Sequence, residues 1–337
     1  MPCVNEKLFY MLLTLVALVG SASGIKTSLS GGESLSGMVD DQQGNKLKQA
    51  MYENYGWKHT LRYASAVSGG LAIYHIVFRR RFGLLSIVNL LLVLATAVMS
   101  ARLILVEAVF VSLALAVRFG GIENFPLRRV VPIGIVLACA LMFMTWFREG
   151  GTYSDMVGTR NPVVMQYLQI KRYLGAPIQV SLGVSRIALD GDGPSERELN
   201  PWLSLTPTFW YPEHEKADNS GGLGLQWYLG AVDIEPNLTT NSAFALLFGR
   251  LSWWSFPFMA LSAFLFSWLA MGLWRLEGPL FLASLPILYS FAELWRWYQF
   301  NHGFIIFQWG IVTALFIIVS VLPDFDREGD RVLRDSD

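Results

Sequence analysis

The sequence predicts an all-α, multi-pass integral membrane protein with about eight transmembrane helices and one large external loop. Three observations predict it. The 337 residues are 53% hydrophobic and only 15% charged, against roughly 25% charged in average soluble domains. Mean hydropathy is +0.41, and the apolar residues sit in long blocks, most of them of the size that crosses a hydrocarbon core about 30 Å thick. Arginines gather in the short loops between blocks, as they do on the cytoplasmic side of membrane proteins. This composition excludes a soluble globular enzyme, a disordered chain and a disulfide scaffold. Lys+Arg and Asp+Glu both total 26, and no polybasic tract points to nucleic acid. Cys3 and Cys139 suit neither a disulfide nor a thiolate metal site. His59, His75, His214 and His302 lack metal-ligand spacing, so no metal or cofactor is expected.

The candidate spans are residues 8–25, 61–78, 84–100, 103–117, 130–147, one inside 242–274, 279–297 and 303–322. Arg79 to Arg81, then Arg118, Arg128 and Arg129, then Arg275 mark loops that an eight-span count places on one side, the cytoplasmic side. Both termini are then cytoplasmic, with 323–337 as a tail. Segments 26–58 and 148–241 are external, and 1–337 is a single membrane domain. The first span has a rival reading: Lys7, an apolar run and Ser21-Ala22-Ser23-Gly24 match a cleavable signal peptide. We read an uncleaved span; cleavage would leave every other orientation unchanged.

Ala101-Arg102 alone separates the third and fourth spans, so one of them must end early or bend. Arg102 and Glu107 are the most informative charges at this depth. Five residues apart, they do not share a helix face. Arg102 either snorkels to the interface or faces a partner, because a bare charge there costs at least a few kcal/mol. Block 242–274 is too long for one span, and Gly249-Arg250 and Ser255-Phe256-Pro257 interrupt it. A short outer helix up to Trp254 and a span from Phe256 to Trp274 are expected. Trp253, Trp254, Trp274, Trp295 and Trp297 suit an interfacial aromatic belt.

Loops as long as 148–241 are usually functional or disordered. Residues 162–189 of this one read as a helix. Arg148, Arg160, Lys171, Arg172 and Arg186 make its first half cationic, and carboxylates dominate afterwards. Trp202, Phe209, Trp210, Tyr211, Trp227 and Tyr228 offer either a sugar-binding platform or a small loop core. Arginine's planar fork binds phosphate oxygens through two hydrogen bonds. Arg148, at the end of the fifth span, lies at the depth where a lipid-linked sugar carries its diphosphate.

Three stretches carry a family resemblance. One is Val98-Met99-Ser100-Ala101-Arg102-Leu103-Ile104-Leu105. Another is Thr145-Trp146-Phe147-Arg148-Glu149-Gly150-Gly151, followed by Gln166-Tyr167-Leu168 and Arg172-Tyr173-Leu174-Gly175-Ala176-Pro177. The third is Pro236-Asn237-Leu238-Thr239-Thr240-Asn241 leading to Phe248-Gly249-Arg250. Over residues 60–322 the chain resembles the oligosaccharide repeat-unit polymerases, the O-antigen polymerase-like membrane proteins of bacterial envelopes. Some members place Arg, ten residues, then Gly in an external loop, and Arg172 and Gly183 fit that spacing. The chain departs from the family in being short, with about eight spans where ten or more are usual.

The resemblance implies a glycosyltransferase of the bacterial inner membrane that joins repeat units into a surface polysaccharide (O-antigen, capsule or exopolysaccharide). Its substrate would be a polyprenyl-diphosphate-linked oligosaccharide. Membrane lipid, a chain-length regulator and a flippase would be its partners. On that reading Arg148 and Arg172 contact the diphosphate and Arg102 is a deeper catalytic candidate. Arg160, Trp210, Tyr211, His214 and Trp227 are candidates for holding substrate. Glu149, Asp155 and His214 are alternatives for the base that takes the acceptor's proton. Rival readings are an O-antigen ligase-like transferase, a lipid-linked sugar transporter and a non-enzymatic partner of the assembly machinery.

Overall fold

A computed structural model describes residues 5–30, 57–99, 102–120, 127–190, 206, 207, 210 and 242–322. Every regular element among them is helical. Helix α1 is Glu6–Ser30. A 3₁₀ turn, Trp57–Tyr63, runs into α2, Ala64–Ile73, and a π-helical turn, Tyr74–Phe78, ends that segment. Then come α3, Leu84–Met99; α4, Leu103–Gly120; α5, Leu127–Val157; and α6, Pro162–Leu189. Helix α7 is Ala243–Leu251, and a 3₁₀ turn, Ser252–Trp254, joins it to α8, Ser255–Trp274. A 3₁₀ turn, Pro279–Ala283, precedes α9, Ser284–Glu293, and α10 is Gly303–Val321.

Five stretches are long and apolar enough to cross a membrane: Glu6–Thr27, Leu103–Gly120, Val130–Phe147, Ser252–Trp274 and Gly303–Val321. Two other expected spans are shorter apolar helices, Leu84–Val98 and Pro279–Glu293. At about 1.5 Å per residue they fall short of a 30 Å core. The segment expected at 61–78 is a composite of 3₁₀, α and π turns around a run of small residues.

That small-residue run is the packing centre. Ala64, Ser65, Ala66, Ser68, Gly69, Gly70 and Ala72 are all buried, and α2 lies against α1, α3 and α4. Between apolar helices, small side chains let backbones approach closely, which is the main source of attraction in lipid. A Cβ on Gly70 would overlap the Val111 side chain of α4, and one on Gly20 would overlap the backbone of Leu61 and Arg62. Hydroxyls and an amide tie the same faces together. Ser21 Oγ lies 2.9 Å from Thr96 Oγ1, and Asn89 Nδ2 donates to Thr14 Oγ1 at 2.8 Å.

The break in block 242–274 lies where the sequence places it. Ser252 has φ +50° and ends α7. Ser242 caps α7 by accepting from the Ala245 N–H at 3.0 Å, and its Oγ lies 2.7 Å from Ser181 Oγ of α6.

The bundle has two chemically distinct ends. Arg118, late in α4, donates to the carbonyls of Trp274 and Leu276, and its guanidinium covers the Phe281 ring at 4.1 Å. Tyr74 meets the Phe119 ring at 5.8 Å and accepts from Arg79 Nε at 2.9 Å. Arg79 to Arg81, Arg118 and Arg275 therefore gather at one end. Arg102 precedes the opposite end of α4.

Candidate functional site

At that opposite end, α4, α5 and α6 bring a polar cluster together. Helix α5 is one continuous helix that passes ten residues beyond the expected span end at Phe147. The chain reverses at Gly158, whose φ of +65° suits glycine. Asn161 then caps α6, its side chain accepting from the Val163 and Val164 N–H groups, with Pro162 in the first helical position. The expected helix 162–189 is α6. Thr145 and Glu149 are four apart on α5, and Gln166 and Gln169 are three apart on α6, so each pair shares a face.

Arg102 lies in the mouth between these faces. Its Nη1 donates to Thr145 Oγ1 at 2.9 Å, and its Nη2 donates to Glu149 Oε1 at 2.6 Å. The pair is mostly covered, with side-chain exposures of 13% and 19%. Thr145 Oγ1 lies 2.8 Å from Gln166 Oε1. The Gln169 amide spans the ion pair, its nitrogen 2.7 Å from Glu149 Oε2 and its oxygen 3.1 Å from Arg102 Nη2. That orientation lets the carboxylate accept and the guanidinium donate. The same amide nitrogen is 3.1 Å from the Tyr153 hydroxyl. Of the two sequence readings of Arg102, snorkelling or a partner, it is the partner that the fold supplies.

The pairing bears on the base candidates. Glu149 holds Arg102 and so serves as its counter-charge. Asp155 is exposed on α5, and His214 lies outside the described residues, as do Tyr211 and Trp227. Arg148 and Arg172 lie on α5 and α6 by backbone, and their side chains lie outside the described residues. Arg160 is exposed on the α5–α6 turn, and Trp210 is 70% exposed.

A second group of charges is more deeply buried. Glu107 is 1% exposed, and its Oε2 accepts from Gln308 Nε2 of α10 at 3.0 Å. The same nitrogen donates to the Tyr63 carbonyl at 3.2 Å. Just beyond α9, Arg296 Nε donates to Glu293 Oε2 at 2.7 Å, and Tyr289 donates to Glu293 Oε1 at 2.8 Å. The Arg296 guanidinium lies 5.7 Å from the ring centre of Tyr173 on α6. Gln166, Gln169, Tyr153 and Tyr173 were not singled out from the sequence as site residues. The spacing 166, 169, 173 along one helical face was the signal available for three of them.

Among the described residues no His, Cys, Asp and Glu group could hold a metal ion. Comparison with family models, with curated proteins and with solved structures finds no match for this chain.

Proposed function

We propose that this protein is an oligosaccharide repeat-unit polymerase of the bacterial inner membrane. The observation that carries the reading is the Arg102–Glu149–Gln169 cluster, set at the end of an apolar helix bundle opposite the gathered arginines. With the arginine-rich end cytoplasmic, eight crossings put both termini inside. The cluster and the segment 148–241 then face outward. The short helices α3 and α9 complete the eight crossings by local thinning of the bilayer or by flanking residues.

In this reaction the acceptor's sugar hydroxyl attacks the anomeric carbon of the lipid-linked donor glycan. A glycosidic bond forms, the bond to the diphosphate breaks, and the polyprenyl diphosphate leaves with the electron pair. The hydroxyl proton goes to a base, for which Asp155 and His214 are the candidates. Arg102, fixed by Glu149, Thr145 and Gln169, is a preorganised cation for the charge that develops on the leaving group. Arg148 and Arg172 are the further diphosphate contacts, and Arg160, Trp210, Tyr211, His214 and Trp227 hold the glycan.

The test is deletion of the gene in its host, with surface glycans resolved on a gel beside a complemented strain. Loss of the long-chain ladder with a retained single-repeat band is expected. Loss of every glycan-bearing band would favour the ligase-like or transporter reading, and an unchanged ladder would overturn the polymerase. The buried Glu107–Gln308 pair gives the transporter reading its support, since intramembrane charges mark substrate paths.

A further inference from the structure

We infer that Glu107 is a proton-binding site inside the bundle. It is held as a carboxylic acid whose O–H donates to the Gln308 amide oxygen, and so it closes α4 onto α10. The inference goes beyond the polymerase reading and does not rest on it.

Both side chains sit on seams that are otherwise largely apolar. On α10, Ile305, Gln308, Val312, Leu315 and Val319 are buried at helical spacing, and Gln308 is the polar one among them. On α4, Glu107 shares the buried face with Ile104, Ala108 and Val111. Glu107 and Gln308 are both buried. A carboxylate at such depth needs a cation or gives up its charge. Glu149 has Arg102, and Glu293 has Arg296. Among the described residues no arginine, lysine or histidine pairs with Glu107. On the adjoining 3₁₀ turn, Arg62 donates to the Tyr63 hydroxyl at 3.0 Å and lies over its ring at 4.7 Å. From α9, Tyr289 and Glu293 stand within electrostatic reach of Glu107. Helices α2, α3 and α10 carry no ionisable side chain. On α5, Glu149 is taken by Arg102. The π-helical turn meets α4 at Phe119, more than three turns away.

The hydrogen bonds around Gln308 fix which way its amide points. Nε2 donates to Glu107 Oε2 at 3.0 Å and to the Tyr63 carbonyl at 3.2 Å. A backbone carbonyl only accepts, so the nitrogen must face it, and both amide hydrogens are thereby used. That leaves Gln308 Oε1 buried with no donor. Glu107 Oε1 is likewise buried with no donor. Two neighbouring groups thus hold two orphaned acceptors, each of which costs free energy when left unmade. The pair is short of one hydrogen.

A single proton answers both orphans. A protonated carboxyl has one O–H donor and keeps an oxygen that accepts. Oε2 accepts from the amide N–H, and the O–H on Oε1 is the donor that Gln308 Oε1 lacks. Acid and amide then satisfy each other, and no net charge remains between the helices. The resulting interhelical hydrogen bonds tie α4 to α10. Helix α4 begins at Leu103, directly after Arg102, so the proton also steadies the helix that carries the outer cluster.

The test is infrared spectroscopy of the purified full chain in detergent at neutral pH, in H₂O and in D₂O. The wild-type chain is expected to show the carbonyl band of a protonated carboxyl, moving to lower wavenumber on deuteration. Glu107→Gln should lose that band. Its amide can make the same two hydrogen bonds, so Glu107→Gln should fold with an unshifted Tm. Gln308→Leu keeps the acid but removes its partner, and the band should move to higher wavenumber. A wild-type spectrum without the band would overturn the site, and this reading needs no variant. A band unchanged in Glu107→Gln would also overturn it, as would a Glu107→Gln chain that does not fold, since a neutral isostere of a neutral acid is tolerated. A band lost in Glu107→Gln but unmoved in Gln308→Leu would overturn the pairing with Gln308.

Discussion

Arg102 is held by partners from two other helices, and this makes its removal costly twice over. Arg102→Met leaves Glu149 mostly covered without its cation. The expected loss is about 2–4 kcal/mol, toward the lower part of the range for broken buried pairs because some exposure remains. The double variant Arg102→Met with Glu149→Met should recover most of that stability and none of the polymer. Thermal unfolding in detergent, read beside the glycan ladder, separates the two effects; a double variant as unstable as the single one would refute the ion-pair account. His302 gives a pH prediction. It lies half-buried between the rings of Trp297 and Phe304, at 4.8 and 5.4 Å, and loss of hydration there lowers its pKa to about 4. The unfolded chain takes up that proton near pH 6.5, so between the two values the unfolded state binds more protons. Stability is then full above about pH 6.5 and falls as pH drops toward 4. His302→Asn keeps a capping acceptor for α10 and should flatten that part of the profile, measured as Tm against pH.

At the scale of elements, helix contact here depends on what side chains are missing. Gly70 sits where α2 meets Val111 and the Ala108 carbonyl of α4. Gly70→Val should push these helices apart and cost at least about 1–3 kcal/mol, the usual range for overpacking. A matched variant on an open glycine, Gly272→Val, has nothing within 4 Å of its added Cβ and should be close to neutral. Equal folded yields from the two, by size-exclusion chromatography, would refute close packing at α2. The hairpin of α5 and α6 was half legible before the fold was known. Asn161-Pro162 announces the start of α6, and its apolar spacing carries it to 189. The continuation of α5 to Val157 was not legible, because the apolar run that marked the span stops at Phe147, whereas Gly150 and Gly151 are buried within the helix.

For the whole molecule, the two unlike ends make a prediction about sidedness. With Cys3 and Cys139 replaced by Ser, Phe82→Cys and Val163→Cys occupy exposed positions, 77% and 63%. A membrane-impermeant thiol reagent should label Val163→Cys from outside and Phe82→Cys only after permeabilisation. Labelling of both from the same side would refute the eight-crossing topology.

The sequence alone determined that this is an apolar chain whose described elements are all helical, where most of those helices lie, and that block 242–274 breaks near Trp254. Those properties depend on composition and on neighbours within a few turns, and such local signals survive in the order of residues. Only the tertiary structure decided which charges meet. Arg102 and Glu149 are far apart in the chain, as are Glu107 and Gln308, and Tyr173 and Arg296. Nothing local selects one glutamate over another. The selection comes from close packing of small residues at α2 and from the reversal at Gly158, which set the helices at distances where distant polar groups meet.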